Sequence, residues 1–116
     1  MTFNFDREFQ SMMQVNDLNT VILLGHLNPD GDAAGLVMGL AHYIKVNYPQ
    51  YKVMPYLADT LDKGPKKQVK LDKVFNPFEK PDVKEKYAVI VCDTAVLARM
   101  IGREYYESAE ASIIID

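Results

Sequence analysis

A chain of 116 residues, 48% hydrophobic and 25% charged, has the balance of one compact folding unit, which excludes a disordered or fibrous protein. Its formal charge of -3 supplies no general basic field, so a long nucleic-acid duplex held through many phosphates is excluded as a partner, while a small anionic ligand is not. No apolar run reaches the roughly 18 residues of a membrane span, the single cysteine, Cys92, has no internal disulfide partner, and the opening "MTFNFDREFQSMM" lacks a secretory signal, so the expected setting is the cytoplasm with no membrane partner.

Phe5, Phe9, Met12 and Met13 recur at helical spacing and predict a short amphipathic helix packed on the domain. "TVILLGH", Thr20 to His26, is a β-branched and leucine run too short for an independent helix, and it predicts a buried parallel strand. From Asp32 to about Asn47 the period changes: Leu36, Leu40 and Ile44 stand four apart with Val37 beside them, and the pattern stops before Pro49, which predicts a helix. "YKVMPYLA" predicts a second strand, placed near a sheet edge because Pro55 cannot donate to a ladder. "YAVIVCDT" predicts a third, strongly buried strand, and "ASIIID" a fourth. Strands alternating with helical patterns imply right-handed crossovers and an α/β fold, a Rossmann-like parallel sheet flanked by helices. The chain shows no internal repeat and no low-complexity tract.

In parallel α/β sheets ligands settle beyond the carboxyl ends of the strands. Three such ends carry acids here: the first strand runs into His26, Asp30 and Asp32, the third into Asp93, and the last into Asp116. Any one of these aspartates could cap a following helix. Several carboxylates at one rim, however, repel and raise one another's pKa values unless a cation neutralises them, which points to a metal site. Hard carboxylate oxygens with one imidazole and no thiolate suit manganese, magnesium or iron rather than a structural zinc, and manganese is the first expectation. Gly31 permits a sharp turn between Asp30 and Asp32, and Pro29 stiffens the approach, so the two carboxylates would diverge toward different ions. Two ions roughly 3.5 to 4 Å apart would clamp the attacking and leaving oxygens of a phosphoryl group, with Asp93 as the natural bridge.

With these residues in view, the chain resembles the DHH phosphoesterases, and within them the oligoribonucleases that also act on 3'-phosphoadenosine 5'-phosphate. "GHLNPDGDAAG" looks like the family's first motif, "VCDTAVLAR" like its second and "SIIID" like the start of its third, whose two histidines would come next. The resemblance implies that His26, Asp30 and Asp93 hold one manganese ion and that Asp32 and Asp93 hold the other, together with groups further along the family's chain. It spans about residues 20 to 116, the amino-terminal part of the catalytic domain, so residues 1–116 are expected to be a fragment without the substrate-gripping domain and inactive alone. Asp116 would orient the first of the two histidines rather than bind metal. "Asp-Gly-Asp" favours the nucleotide and short-RNA branch over the pyrophosphatase branch, which typically carries Asp-Thr-Asp followed by serine.

Several residues carry two readings. Asn28 would contact substrate phosphate or satisfy its own loop backbone. Arg99, on the helix expected after Asp93, would pair with a carboxylate of the site or lie in solvent. His42 falls mid-helix with no acidic neighbour at metal-binding spacing and is not assigned to the site. Cys92 should point away from the face of Asp93 and pack as a small hydrophobe. "KGPKKQVK", Lys63 to Lys70, reads as a solvated surface rather than an RNA contact.

The reaction expected is hydrolysis of short oligoribonucleotides, of 3'-phosphoadenosine 5'-phosphate, or of both, by a metal-activated water attacking phosphorus in line, with no side-chain nucleophile. Cyclic-dinucleotide phosphodiesterase and pyrophosphatase are the alternatives within the superfamily. From other classes, a phospho-signalling receiver domain and a nucleotide-binding module without catalysis are weighed against it. Monomer and oligomer are both compatible with the sequence.

Overall fold

The chain's first helix begins where Asn4 offers a side-chain acceptor: its Oδ1 takes the Arg7 N–H at 3.1 Å, with Asp6 and Glu8 placing negative charge at the helix's positive end. This and the rest of the fold come from a computed structural model that describes residues 4–26, 32–58, 75, 80–92 and 103–115, with the backbone alone at 26, 32–34 and 58. In chain order the elements are α1 (Phe5–Val15), β1 (Thr20–His26), α2 (Asp32–Asn47), β2 (Lys52–Ala58), β3 (Ala88–Val91), α3 (Arg103–Ser108) and β4 (Ala111–Ile114). Helix α1 closes in a Schellman turn, in which Leu18 N–H reaches Met13 O at 2.8 Å and Asp17 N–H reaches Gln14 O at 3.2 Å. Asp17 takes the required positive φ of 55°. That turn buries Leu18 and delivers the chain into β1.

Among the described residues, four strands form one sheet in the order β2-β1-β3-β4, with every pairing parallel. Strand β1 pairs with β2 from Thr20↔Lys52 to His26↔Ala58, and with β3 from Val21↔Ala88 to Leu24↔Val91. The period of two in the strands divides their side chains between two apolar layers. On one face Val21, Leu23, Leu57, Ile90 and Cys92 pack with Phe9 and Met13 of α1 and Val37 and Ile44 of α2. On the other, Ile22, Leu24, Tyr56, Val89 and Val91 pack against Tyr105 and Tyr106 of α3. Burial from both sides is why β1 and β3 read as unbroken apolar runs.

Helices α1 and α2 are joined by a polar staple: Asp6 Oδ1 accepts hydrogen bonds from the Tyr43 hydroxyl at 2.7 Å and the Tyr48 hydroxyl at 2.6 Å. Beneath it, Phe9 lies among Phe5, Tyr48 and Tyr51 at ring separations of 5.5, 5.2 and 5.5 Å.

The first helix, β1 and α2 occupy the segments that the periodicity indicates, and Pro55 lies on β2 at an edge of the described sheet. Two details differ. The buried stripe of α2 is Val37, Ala41 and Ile44, continued by Tyr48 just past its end, while Leu36 is 44% exposed. The buried stripe thus shares Ile44 with the Leu36–Leu40–Ile44 row, takes in Leu40 only in part, and leaves Leu36 outside. The third strand is shorter than its apolar run, although Cys92 prolongs its ladder by donating to Leu24 O at 2.9 Å. Among the described residues no helix is long and apolar enough to cross a membrane.

Candidate functional site

The order of the strands selects one place on the sheet. From β1 the chain passes through α2 to β2 on one side, and the next strand among the described residues, β3, lies on the other side of β1. The carboxyl ends of β1 and β3 therefore form a topological switch point, where diverging connections leave a crevice for a ligand.

The expected site residues cluster around that point in the chain. His26 is the last residue of β1, and Asp32 is the first residue of α2, with five positions between them. The Cys92 amide bonded to Leu24 O continues the ladder of β3 beside the last residues of β1, and Asp93 is the next residue in sequence. On the far side, Ile115 N–H donates to Val91 O at 2.8 Å, and Asp116 follows it. The described attachment points of the three acidic segments thus lie along one end of three adjacent strands, β1, β3 and β4. Asn28, Asp30, Asp93, Arg99 and Asp116 themselves lie outside the described residues, as do Pro29, Gly31 and the run from Lys63 to Lys70. Among the described residues no group of three or more His, Cys, Asp or Glu is gathered in a way that could hold a metal ion.

Cys92 packs as the small hydrophobe expected, while Asp93, from whose face it was expected to turn away, lies outside the described residues. Cys92 is 3% exposed, its side chain belongs to the layer formed with α1 and α2, and its Sγ lies 3.9 Å from Ile90 O. A thiolate is therefore not among the donors available at the end of β3. The set that remains, one imidazole with carboxylates, fits a hard divalent cation such as manganese or magnesium. His42 lies in the later half of α2, with its ring 5.1 Å from that of Phe75 in an edge-on arrangement.

Two features of the site are not carried by the motif residues. One is the reversal of strand order, a long-range property that no local pattern encodes. The other is the contact between Gly25 and α2: a Cβ at Gly25 would fall 2.5 Å from Val37 Cγ2 and 3.2 Å from Leu57 Cδ2. Its signal was a glycine inside an otherwise branched apolar strand, which marks a close approach of another element. Comparison of the chain with family models, with curated proteins and with solved structures gives no match.

Proposed function

We propose that this protein is a metal-dependent phosphoesterase of the DHH type, acting on short oligoribonucleotides, on 3'-phosphoadenosine 5'-phosphate, or on both. The observation that supports this reading most directly is the adjacency of β1 and β3 at the switch point. It brings the strand that ends in His26 beside the strand that leads into Asp93. His26, Asp30 and Asp93 would hold one divalent cation, and Asp32 with Asp93 the other, manganese being preferred. When bound, such ions lower the pKa of a water and stabilise charge on the transferred phosphoryl group. The chain's own contribution is to hold its donors at fixed places. His26 is carried on a strand paired on both sides, and Asp32 on the first turn of a helix whose inner face is buried. Asn28 and Arg99 would meet the substrate phosphate, and Asp116 would orient a neighbouring ligand. The buried Cys92 excludes nucleophilic catalysis by thiolate from this reading.

Manganese calorimetry on the complete gene product, followed by hydrolysis assays with a diadenylate and with 3'-phosphoadenosine 5'-phosphate, tests the proposal. Micromolar or tighter binding that His26→Ala removes, together with release of mononucleotide or phosphate, is the expected result. Binding that ignores His26→Ala would end it.

A receiver domain is a second reading with one observation in its favour, because the order β2-β1-β3-β4 is also the order of that fold. A receiver's magnesium site needs no imidazole, so the same His26→Ala titration separates the two. Stable aspartyl phosphorylation from a small phosphodonor would favour the receiver.

A further inference from the structure

Gly25 is enclosed at the place where a side chain would point: the hypothetical Cβ lies 2.5 Å from Val37 Cγ2 and 3.2 Å from Leu57 Cδ2. Non-bonded carbons rest at about 3.5 to 4.0 Å, so a methyl group here would force α2 and β1 apart by about 1 Å. Val37 cannot swing aside, because a valine on a helix is held in one dominant χ1 rotamer and this one is fully buried. Leu57 is the direct register partner of Gly25 on β2 and closes the lateral escape. The displacement must therefore fall on the helix. Gly25 is the residue before His26, and Val37 lies in the second turn of α2, five residues after Asp32. The Gly25–Val37 contact thus clamps together the strand end and the helix start between which the first motif runs.

We infer that Gly25 is a positioning residue for the divalent-cation site: by letting Val37 rest on the β1 backbone, it sets the spacing between His26 and the first turn of α2. This rests on the phosphoesterase reading above. Ligand positions in such sites tolerate little error, and loss of a group that orients a ligand typically weakens metal binding about 10- to 100-fold.

The test compares the parent chain, Gly25→Ala, Val37→Ala and the double variant Gly25→Ala/Val37→Ala, with manganese alone as the probe. Three quantities are read: the manganese dissociation constant, the thermal midpoint, and amide hydrogen exchange over residues 35–41. Gly25→Ala should weaken manganese binding by about tenfold or more, and the double variant should return to within about threefold of the parent. The rescue should occur although the double variant has lost core volume and melts lower. A merely structural role would make affinity follow stability, leaving the double variant the weaker binder. Affinity of Gly25→Ala within about threefold of the parent, or no recovery in the double variant, would overturn the inference. If Gly25→Ala does not fold, the double variant decides alone: near-parental affinity supports the spacing role, and a loss of about tenfold or more overturns it. If the parent binds no manganese, or His26→Ala leaves binding intact, the phosphoesterase reading fails. The inference then falls with it, and faster exchange over residues 35–41 in Gly25→Ala would report only the packing of α2 on β1; manganese binding that needs His26 but is unchanged in Gly25→Ala overturns the inference while leaving the phosphoesterase reading intact.

Discussion

The backbone amide of Cys92 donates to the carbonyl of Leu24 at 2.9 Å, one step past the last paired residues of β1 and β3. This bond carries the ladder up to the residue before Asp93 on one strand and close to His26 on the other. The end of β3 thus lies beside the last residues of β1, His26 closing one strand and Asp93 following Cys92 in sequence on the other. Asp93→Ala should abolish manganese-dependent hydrolysis by the complete gene product while leaving its circular dichroism unchanged. Activity within a few-fold of the parent would show that Asp93 bridges nothing.

The Cys92 thiol should be silent toward alkylating reagents in the native protein, since the residue is 3% exposed and packed against the helices. Modification should appear only in denaturant, as read by mass spectrometry. Cys92→Ser places a hydroxyl in the same apolar layer and should destabilise by about 1 to 3 kcal/mol in urea unfolding.

The staple between α1 and α2 has a defined pH window. Hydrogen bonds from Tyr48 and then Tyr43 hold the Asp6 carboxyl below its ordinary value of 3.8. A carboxyl lowered on folding stabilises above its unfolded pKa, and that support is lost as pH falls through the folded value. On the phenol side, the hydrogen bond to Asp6, then burial, then the charge of Asp6 push Tyr48 up to about 12. Its contribution is complete below the ordinary tyrosine value of 10 and disappears as pH rises through about 12. An ultraviolet titration of tyrosinate should show a late step that Tyr48→Phe removes and Asp6→Asn moves to lower pH. A late step that survives Tyr48→Phe would assign it elsewhere.

Phe9 is fully buried under that staple, whereas Val15, on the same helix, is 79% exposed. Phe9→Ala should cost about 3 to 5 kcal/mol through lost transfer energy and the cavity left behind. Val15→Ser should stay within about 0.5 kcal/mol of the parent. Denaturant midpoints at constant m-value measure both, and similar losses in the two variants would contradict the placement of α1.

The elements most legible in the sequence are those governed by local chemistry. Thr20 to His26 forms a strand over its whole predicted length because branched side chains suit a pleat covered on both faces. The helix from Asp32 to Asn47 was marked by its apolar spacing and the proline beyond it. What escaped reading was relational. Of the Leu36, Leu40, Ile44 and Val37 pattern, Ile44 and Val37 are fully buried and Leu40 partly so, but Leu36 is 44% exposed and Ala41 takes an inward place instead. The bare backbone at Gly25 admits Val37, a close approach that needs the neighbouring strand to be visible. The same holds for the site. The candidate residues His26, Asp30, Asp32 and Asp93 are proposed from residue type and spacing, whereas the switch point between β1 and β3 exists only in the order β2-β1-β3-β4.

Pro55 sits within β2, at one margin of the described sheet. A proline cannot supply the N–H that an incoming strand would seek, so this margin is a poor template for sheet-to-sheet docking and for ordered self-association. Growth of the sheet, whether by more of the same polypeptide or by another molecule, is thereby biased to the opposite margin, beside β4. The strand that carries the proline thus discourages pairing at its own margin of the described sheet.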